Sequence, residues 1–293
     1  MANNNTVAYI TQYLDLLDEV YALNSLTTGF EAGNDMIRNT SNAQTVEIQN
    51  IAVEGLSDYD QTKGYEASAA TVIWQALRLL KDRGAKFSID AIDVMEAYLS
   101  AAKVQGQFMR TKVIPEIDLY RFTKIAAGAA SYTTTTATAD NAVELVDTGI
   151  AALQDANVDM SSVLMYASPS FYKLLKQSSD LVRLVGSTQQ VNNINRQITM
   201  FDDMPVTVIP KSRFSTTATF GAKTNTQTGR YIDFALVDKN SVVAIKKHEQ
   251  PKIILPQDNQ STDGFLVFYR IYHDCFVFTN KTAGIYYNAG VSL

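Results

Sequence analysis

One cysteine, Cys275, stands in the whole chain, so no internal disulfide can form. That usage suits a reducing compartment. Histidine is nearly as scarce: His248 and His273 are the two present, and neither has a second His or Cys at metal-ligand spacing. A zinc or iron site is therefore not expected. Basic charge is missing where a nucleic-acid-coating protein would carry it. The formal net charge is -5, and the first 44 residues hold Asp15, Asp18, Glu19, Glu31 and Asp35 against Arg38 alone. Such a segment is no basic arm. The opening residues, MANNNTVAYI, lack the basic region and apolar core of a signal peptide. No apolar run is long enough to span a bilayer. The reading is a soluble, cytoplasmic chain without a membrane partner.

Catalytic patterns are missing as well. Phe220-Gly221-Ala222-Lys223-Thr224 imitates the end of a phosphate loop, but Thr216 stands where the earlier glycine is required. No G-x-G-x-x-G occurs. His273-Asp274-Cys275 places a base beside a thiol, yet strand alternation puts His273 and Cys275 on one face and Asp274 on the other. An α/β hydrolase-like enzyme using His273 would need a nucleophile motif such as G-x-S-x-G, and none is present. Carboxylates pair at Asp58/Asp60 and Asp90/Asp93. The first pair sits in a flexible tip, a poor place for a pKa-tuned acid. No catalytic residue, metal or cofactor is expected.

What is present is an ordinary apolar content of 46%, enough for a sizeable core in one large domain or two intertwined ones. The most informative stretch is Val46 to Ala97. Val46, Ile48, Ile51 and Val53 read as one strand, Val72 and Trp74 as another, with a polar tip from Leu56 to Glu66 that carries Gly55, Asp58, Asp60, Lys63 and Gly64 at or beside it. Isolated hairpins of this kind are marginal in water, so this one is expected to pack on another molecule. Lys81-Asp82-Arg83-Gly84 is read as closing its return strand. Asp90 and Asp93 follow at a helix start, where carboxylates are favoured by the macrodipole. Arg83 is expected to clamp one of those two carboxylates and fix the exit angle of the hairpin.

Residues 6–24 carry Ile10, Tyr13, Leu14, Leu17, Val20 and Tyr21 at helical spacing, the mark of a short amphipathic helix. Residues 25–45 look extended, an arm that is either disordered or laid over something else. A long helical pattern runs from about Ile92 to Gly128, with a kink expected between Thr111 and Pro115 because proline removes a ladder donor. Ser131 to Ala139 reads as a polar connector. A helix over about 141–157 and a strand at Val163 to Ala167 follow. Ser168 and Pro169 then open another helix as cap and first turn. Met204 to Pro210 is a proline-fenced strand, and Ser215 to Gly229 reads as a Thr-rich loop. Strands at Asp233–Val237, Ser241–Lys246, Lys252–Leu255, Phe265–Phe278 and Gly284–Tyr287 return toward the long helix, which chain from both ends of the sequence should then cross.

These residues resemble a known family. Asp82-Arg83-Gly84, Phe87, Ile89-Asp90 and Asp93, preceded by Gly55-Leu56-Ser57-Asp58-Tyr59, look like the extended-loop region of tailed-phage major capsid proteins of the Hong Kong ninety-seven type. Tyr269-Arg270-Ile271-Tyr272-His273-Asp274, Asn280-Lys281, Gly284-Ile285-Tyr286, and Pro205-Val206 through Pro210 with Arg213-Phe214 are similar to the same group. The resemblance covers nearly the whole chain in order. It implies an α+β fold: residues 1–44 as N-arm, 45–90 as extended loop, 91–139 as peripheral domain with spine helix, 140–232 as axial domain, and 233–293 as return strands completing the peripheral sheet. It further implies a shell protein forming hexamers and pentamers of an icosahedral head around double-stranded DNA, assembled in a bacterial host cytoplasm. Implied partners are a separate scaffolding protein, a portal and a decoration protein. Asp58, Tyr59, Lys63, Trp74, Asp82, Arg83, Asp90, Asp93 and Arg270 are the expected intersubunit residues. Some relatives join a loop lysine to a neighbour's asparagine. Lys63 and Asn280 or Asn288 supply those groups, but Lys63 has only Gln61, Thr62 and Gly64 beside it and nothing to desolvate its amine, so a non-covalent shell is expected. A cellular nanocompartment shell of the same fold is the alternative. A tail-tube protein fits the long helix poorly.

Overall fold

The computed structural model describes residues 25–31, 37–39, 45–53, 61, 70–90, 101–178, 198–260 and 263–292. The strands are β1 (Ile37–Asn39), β2 (Thr45–Val53), β3 (Ala70–Arg78), β4 (Lys81–Asp90), β5 (Ser131–Thr133), β6 (Val163–Ala167), β7 (Met200–Phe201), β8 (Met204–Val208), β9 (Ser215–Phe220), β10 (Asn225–Asp238), β11 (Val242–Ile254), β12 (Gly264–Val277) and β13 (Ile285–Ser292). The helices are α1 (Ala101–Phe108), α2 (Ile114–Gly128), α3 (Ala142–Asp155) and α4 (Pro169–Gln177).

One π-helical turn, Met109–Val113, joins α1 to α2 without a break in helical dihedrals. Pro115 has no N–H for the carbonyl of Thr111. The ladder is re-registered just upstream, where the Ile114 N–H reaches the carbonyl of Met109 five residues back. The kink expected from proline is thus taken up as a wide turn.

Helix α2 lies at the centre. Phe122, Ile125 and Ala126 pack with Phe30, Tyr166, Phe214, Ala235, Val237, Ala244, Cys275 and Ile285. Full burial of each such side chain stabilises by about 1.5–3 kcal/mol. The sheet below runs β5-β13-β10-β6-β8-β7, with β9 also paired to β10. Strand alternation gives it two apolar faces. Tyr166, Ala235, Val237 and Ile285 face α2. Met165, Ala167, Phe234, Leu236 and Tyr286 face α3 and α4 through Val146, Leu153, Phe171 and Leu175. Ser168 caps α4 as read, accepting from Phe171 N at 3.2 Å. The β7–β8 turn has Asp202 and Asp203 at φ 44° and 61°, the left-handed pair that a two-residue hairpin of this hand requires.

A second sheet, β11-β12-β4, packs on the other side of the long helix. Met109, Val113, Ile114 and Ile117 meet Tyr269 and Ile271. Gly128 closes this contact: a Cβ there would lie 2.7 Å from Val277 side-chain atoms. The third sheet, β1-β2-β3, is the hairpin. Its base, Val46, Ile48 and Leu79, rests on Val243 and Ile245.

Several expectations are corrected. Asp82-Arg83-Gly84 does not lie in the hairpin's return strand; that strand is β3, and the chain leaves it at Leu79-Leu80 to enter β4, which pairs with β12 from Asp90↔Gly264 to Lys81↔His273. Ser215 to Gly229 is not a loop. Threonine is β-branched and suits a pleated surface, and Thr217↔Thr228 and Thr219↔Thr226 pair across β9 and β10. Ser131–Thr133, read as connector, adds a parallel edge strand to β13. Two separate strands read on either side of His248 are one strand, β11; Pro251 is tolerated because β11 is an edge. The boundary expected at 232/233 falls inside β10, and β10 and β13 pair within the sheet that holds β6 instead of completing the β4 sheet. Finally, residues 25–31 are no surface arm, since Phe30 is buried in the main core. The long helix is crossed by chain from both ends of the sequence, as read.

Candidate functional site

The outward face of the β11-β12-β4 sheet gathers most of the predicted site residues that fall among those described. Alternation sends Arg83, Ala85, Phe87 and Ile89 toward the long helix and Asp82, Gly84, Lys86, Ser88 and Asp90 outward. Arg83 therefore cannot clamp Asp90, which points the other way. Its Nε donates instead to Glu116 Oε1 of α2 at 2.6 Å. Asn225 Nδ2 donates to the second oxygen of Glu116 at 3.0 Å. The clamp exists, but its partner is Glu116 and it ties β4 and β10 to the helix within one subunit.

Asp82 and Arg270 do meet. Arg270 Nε donates to Asp82 Oδ1 at 2.9 Å and Nη2 to Oδ2 at 2.5 Å, a bidentate fork on the exposed face. These bonds hold the Arg270 guanidinium above its ordinary pKa. Trp74 is exposed on β3, with 42% of its surface open. Asp90 is exposed at the end of β4. Asp58, Tyr59, Lys63 and Asp93 lie outside the described residues.

Beside the fork runs a groove of about 570 Å³ lined by Asp82, Gly84, Ala85, Lys86, Lys252, Phe268, Tyr269 and Arg270. Lys86, Phe268 and Lys252 stand in one row across the three strands. Lys86 Nζ lies 5.5 Å from the centre of the Phe268 ring. Gly84 keeps the floor low: a Cβ there would come 3.1 Å from the Tyr269 carbonyl oxygen.

A buried polar junction under this sheet escaped the sequence reading. Asp118 is fully buried on α2. It accepts from Ser25 Oγ at 3.0 Å, Thr27 Oγ1 at 2.7 Å, Leu26 N at 3.4 Å and Arg213 Nη1 at 3.2 Å. One turn on, fully buried Arg121 donates through Nη1 to the Thr27 carbonyl at 3.1 Å and its hydroxyl at 2.9 Å, and through Nη2 to Glu31 Oε1 at 2.9 Å. Lys246 closes on the other Glu31 oxygen at 3.4 Å. A buried charge must be paired to persist. The signal was there: Asp118 and Arg121, three apart in the apolar run IPEIDLYRF, sit on the helix side that faces the core.

The His273-Asp274-Cys275 run is structural. Asp274 accepts from Tyr120 OH at 2.7 Å and from Leu80 N at 2.8 Å, pinning the entry to β4. Burial and the hydrogen bond to Asp274 push the Tyr120 phenol well above its usual range. Burial, with Arg121, Lys81, Arg83 and Lys246 nearby, lowers His273 to about 3, so it stays neutral. Burial pushes the Cys275 thiol up to about 12, which leaves no thiolate to act as nucleophile. Among the described residues no group of His, Cys, Asp and Glu could hold a metal ion.

No model of a known protein family matches the sequence, and no curated protein matches it. Solved structures do. The mature capsid of bacteriophage PhiM1 is similar at TM-score 0.63, with 12% identity over 85% of this chain and 83% of that one. The chain has the tailed-phage capsid fold. The head structure of Helicobacter pylori bacteriophage KHP40 matches at TM-score 0.60 and 10% identity, covering 92% and 91% of the two chains. A virus-like particle from Pyrococcus furiosus shares the capsid fold at TM-score 0.55 and 10% identity, over 96% of this chain and 99% of that one. With α2 as spine, the mixed sheet on one side of it and the β11-β12-β4 sheet on the other, this is the α+β, Hong Kong ninety-seven type architecture that the motifs resemble.

Proposed function

We propose that the protein is the major capsid protein of a bacteriophage, assembling as hexamers and pentamers into an icosahedral head around double-stranded DNA. The observation that carries this reading is the likeness of nearly the whole chain to phage capsid and head structures, over 85% and 92% of its length. The exposed Trp74 on a hairpin and the open face of β4 and β12 support it, as surfaces suited to neighbours. In this proposal the segments 1–44, 45–90, 91–139 and 140–232 keep the assembly roles expected above, with Ser25–Glu31 also serving the core and 81–90 forming β4; within 233–293, β11 and β12 pair in the β4 sheet, whereas β10 and β13 join the sheet that holds β6. Asp58, Tyr59, Lys63, Trp74, Asp82, Asp90, Asp93 and Arg270 are proposed to meet neighbours, whereas Arg83 works within the subunit. The role is structural, without catalysis. A separate scaffolding protein, a portal and a decoration protein are its proposed partners, the virion its location and the host cytoplasm its place of assembly.

Electron microscopy of the purified protein, supplied with its scaffolding partner, tests the reading. Closed or partly closed shells are expected, and a monodisperse monomer under all such conditions would refute it. The shell is proposed to be non-covalent. Asn288 is fully buried, donating to the Thr135 carbonyl at 3.0 Å and accepting from Thr133 at 2.8 Å, so no neighbour's lysine reaches it. Boiled particles should run as one band at 32.3 kDa on a denaturing gel. A reductant-resistant ladder would exclude a non-covalent shell.

The second reading is a cellular compartment shell of the same fold, since the fold is shared with a virus-like particle as well as with phage heads. Nuclease-protected DNA inside native particles supports the phage head; protein cargo without DNA supports the compartment.

A further inference from the structure

Resting on the phage-head reading above, we propose that a strip of cations along α2 binds the phosphate backbone of duplex nucleic acid, without reading its bases. The chain as a whole is acidic, at net charge -5, so a local basic strip is not a product of composition. Lys112 stands in the π-helical turn Met109–Val113, and Glu116, Tyr120 and Lys124 follow at steps of four along α2. That spacing sets them on one ridge. The wide turn also leaves Arg110, Thr111 and Lys112 exposed in succession.

The ridge's own carboxylate is already engaged. Arg83 holds one oxygen of Glu116 at 2.6 Å and Asn225 the other at 3.0 Å. These bonds tie β4 and the start of β10 to the ridge, and with them Lys81 and the turn residue Lys223. Asp118, the other acid of α2, is fully buried. Lys81 Nζ lies 4.9 Å from the centre of the Phe220 ring and 5.4 Å from that of Tyr120, and Lys124 Nζ lies 5.6 Å from the Tyr120 ring. Rings at such distances attract an ammonium group without neutralising it. Among the described residues Lys81, Arg110, Lys112, Lys124 and Lys223 form no ion pair, so the strip presents uncompensated positive charge.

The form of the strip points to a duplex backbone. From Lys112 to Lys124 the helix rises about 18 Å, a length over which one strand of a duplex presents about five phosphates. The aromatic residues of the strip are closed off: Tyr120 is 4% exposed and Phe220 is half-buried. An amphipathic peptide needs an apolar groove for its stripe, and a single strand needs open rings on which to stack its bases. The strip supplies neither. Phosphate contact requires cations alone and carries no sequence information.

The test uses the full-length protein held below its assembly concentration, with a fluorescent duplex of about 20 base pairs, longer than the strip. Anisotropy is read across a series of salt concentrations. Binding should weaken linearly in log–log form as salt rises, and alike for duplexes of unrelated sequence. Lys112→Gln with Lys124→Gln and Lys223→Gln should make that slope shallower by about 3, roughly one per cation removed. Lys86→Gln with Lys173→Gln and Lys252→Gln removes the same charge from exposed residues elsewhere and should keep the parent slope. A control that binds as weakly as the strip variant would show that binding follows net charge, and would overturn the strip. Acetylation of the unmodified protein gives a reading independent of any variant's folding: the duplex should protect Lys112, Lys124 and Lys223. No protection, or no binding by the unmodified protein at low salt, would overturn the proposal, and particles that still form would leave the shell reading intact. Protection by poly-glutamate and not by the duplex would assign the strip to an acidic protein and overturn it as well. Protein that binds the duplex at the strip yet forms no particle with its scaffolding partner would refute the shell reading while supporting the strip.

Discussion

Truncating Phe30 should destabilise the folded subunit, although residue 30 lies in what the sequence presents as an arm. Its side chain is 2% exposed and packs against Tyr166, ring centres 5.6 Å apart, in the cluster that also holds Phe122. Phe→Ala at such a site costs about 3–5 kcal/mol. For a chain of this size that is a fall in melting temperature of roughly 10 °C. Deleting through Glu31 removes more. Asp118 would lose Ser25, Leu26 and Thr27 and keep Arg213, and Arg121 would lose Thr27 and Glu31. Hydrogen bonds to charged groups contribute about 1.5–3 kcal/mol each, and stranding a buried charge costs more. Together with Phe30 the loss reaches or exceeds the 5–15 kcal/mol that a typical domain holds in total. Deletion through Asn24, by contrast, leaves every one of these contacts in place. The assay is differential scanning calorimetry on capsomers held below their assembly concentration, so that shell contacts do not contribute. The expected order is intact chain and the deletion through Asn24 together, Phe30→Ala lower, and no cooperative transition after deletion through Glu31. A Phe30→Ala melt within about 2 °C of the parent would refute the reasoning, because no core position of this burial tolerates that truncation so cheaply.

Three further outcomes follow from the same contacts. Arg83→Ala should lower the melting temperature of isolated capsomers by a few degrees, about 1 kcal/mol once partial exposure of the pair is discounted; an effect seen only in assembled shells would place Arg83 at a seam instead. His273 is held neutral with its pKa lowered to about 3, against about 6.5 unfolded. The unfolded chain therefore binds the extra proton between those values, and stability should fall by up to about 1.4 kcal/mol per unit as pH drops below about 6 toward 3. Acid titration of unfolding should show that slope reduced in His273→Phe, and an unchanged slope would refute the assignment. Gly128→Ala should cost about 1–3 kcal/mol by chemical denaturation, because its Cβ would meet the Val277 side chain at 2.7 Å; a neutral result would mean that the end of α2 can move freely away from β12.

The sequence by itself determined the local elements. Periodicity marked the long helix, β6, α3 and the returning strands, and Ser168-Pro169 marked the start of α4, because spacing and cap chemistry act within a few residues. The Asp82–Arg270 contact joins two segments that the motifs had already singled out. The tertiary structure alone decided partners across the chain. Arg83 chooses Glu116 over Asp90 because strand alternation sends residues 83 and 90 to opposite faces. The Thr-rich stretch becomes β9 and β10 because two threonine rows find each other and the side of α2, a gain that no single-strand pattern displays. Residues 25–31 enter the core because Asp118 and Arg121, two buried charges on α2, need partners, and this segment of chain supplies their hydroxyls, carbonyl and carboxylate from some ninety residues away.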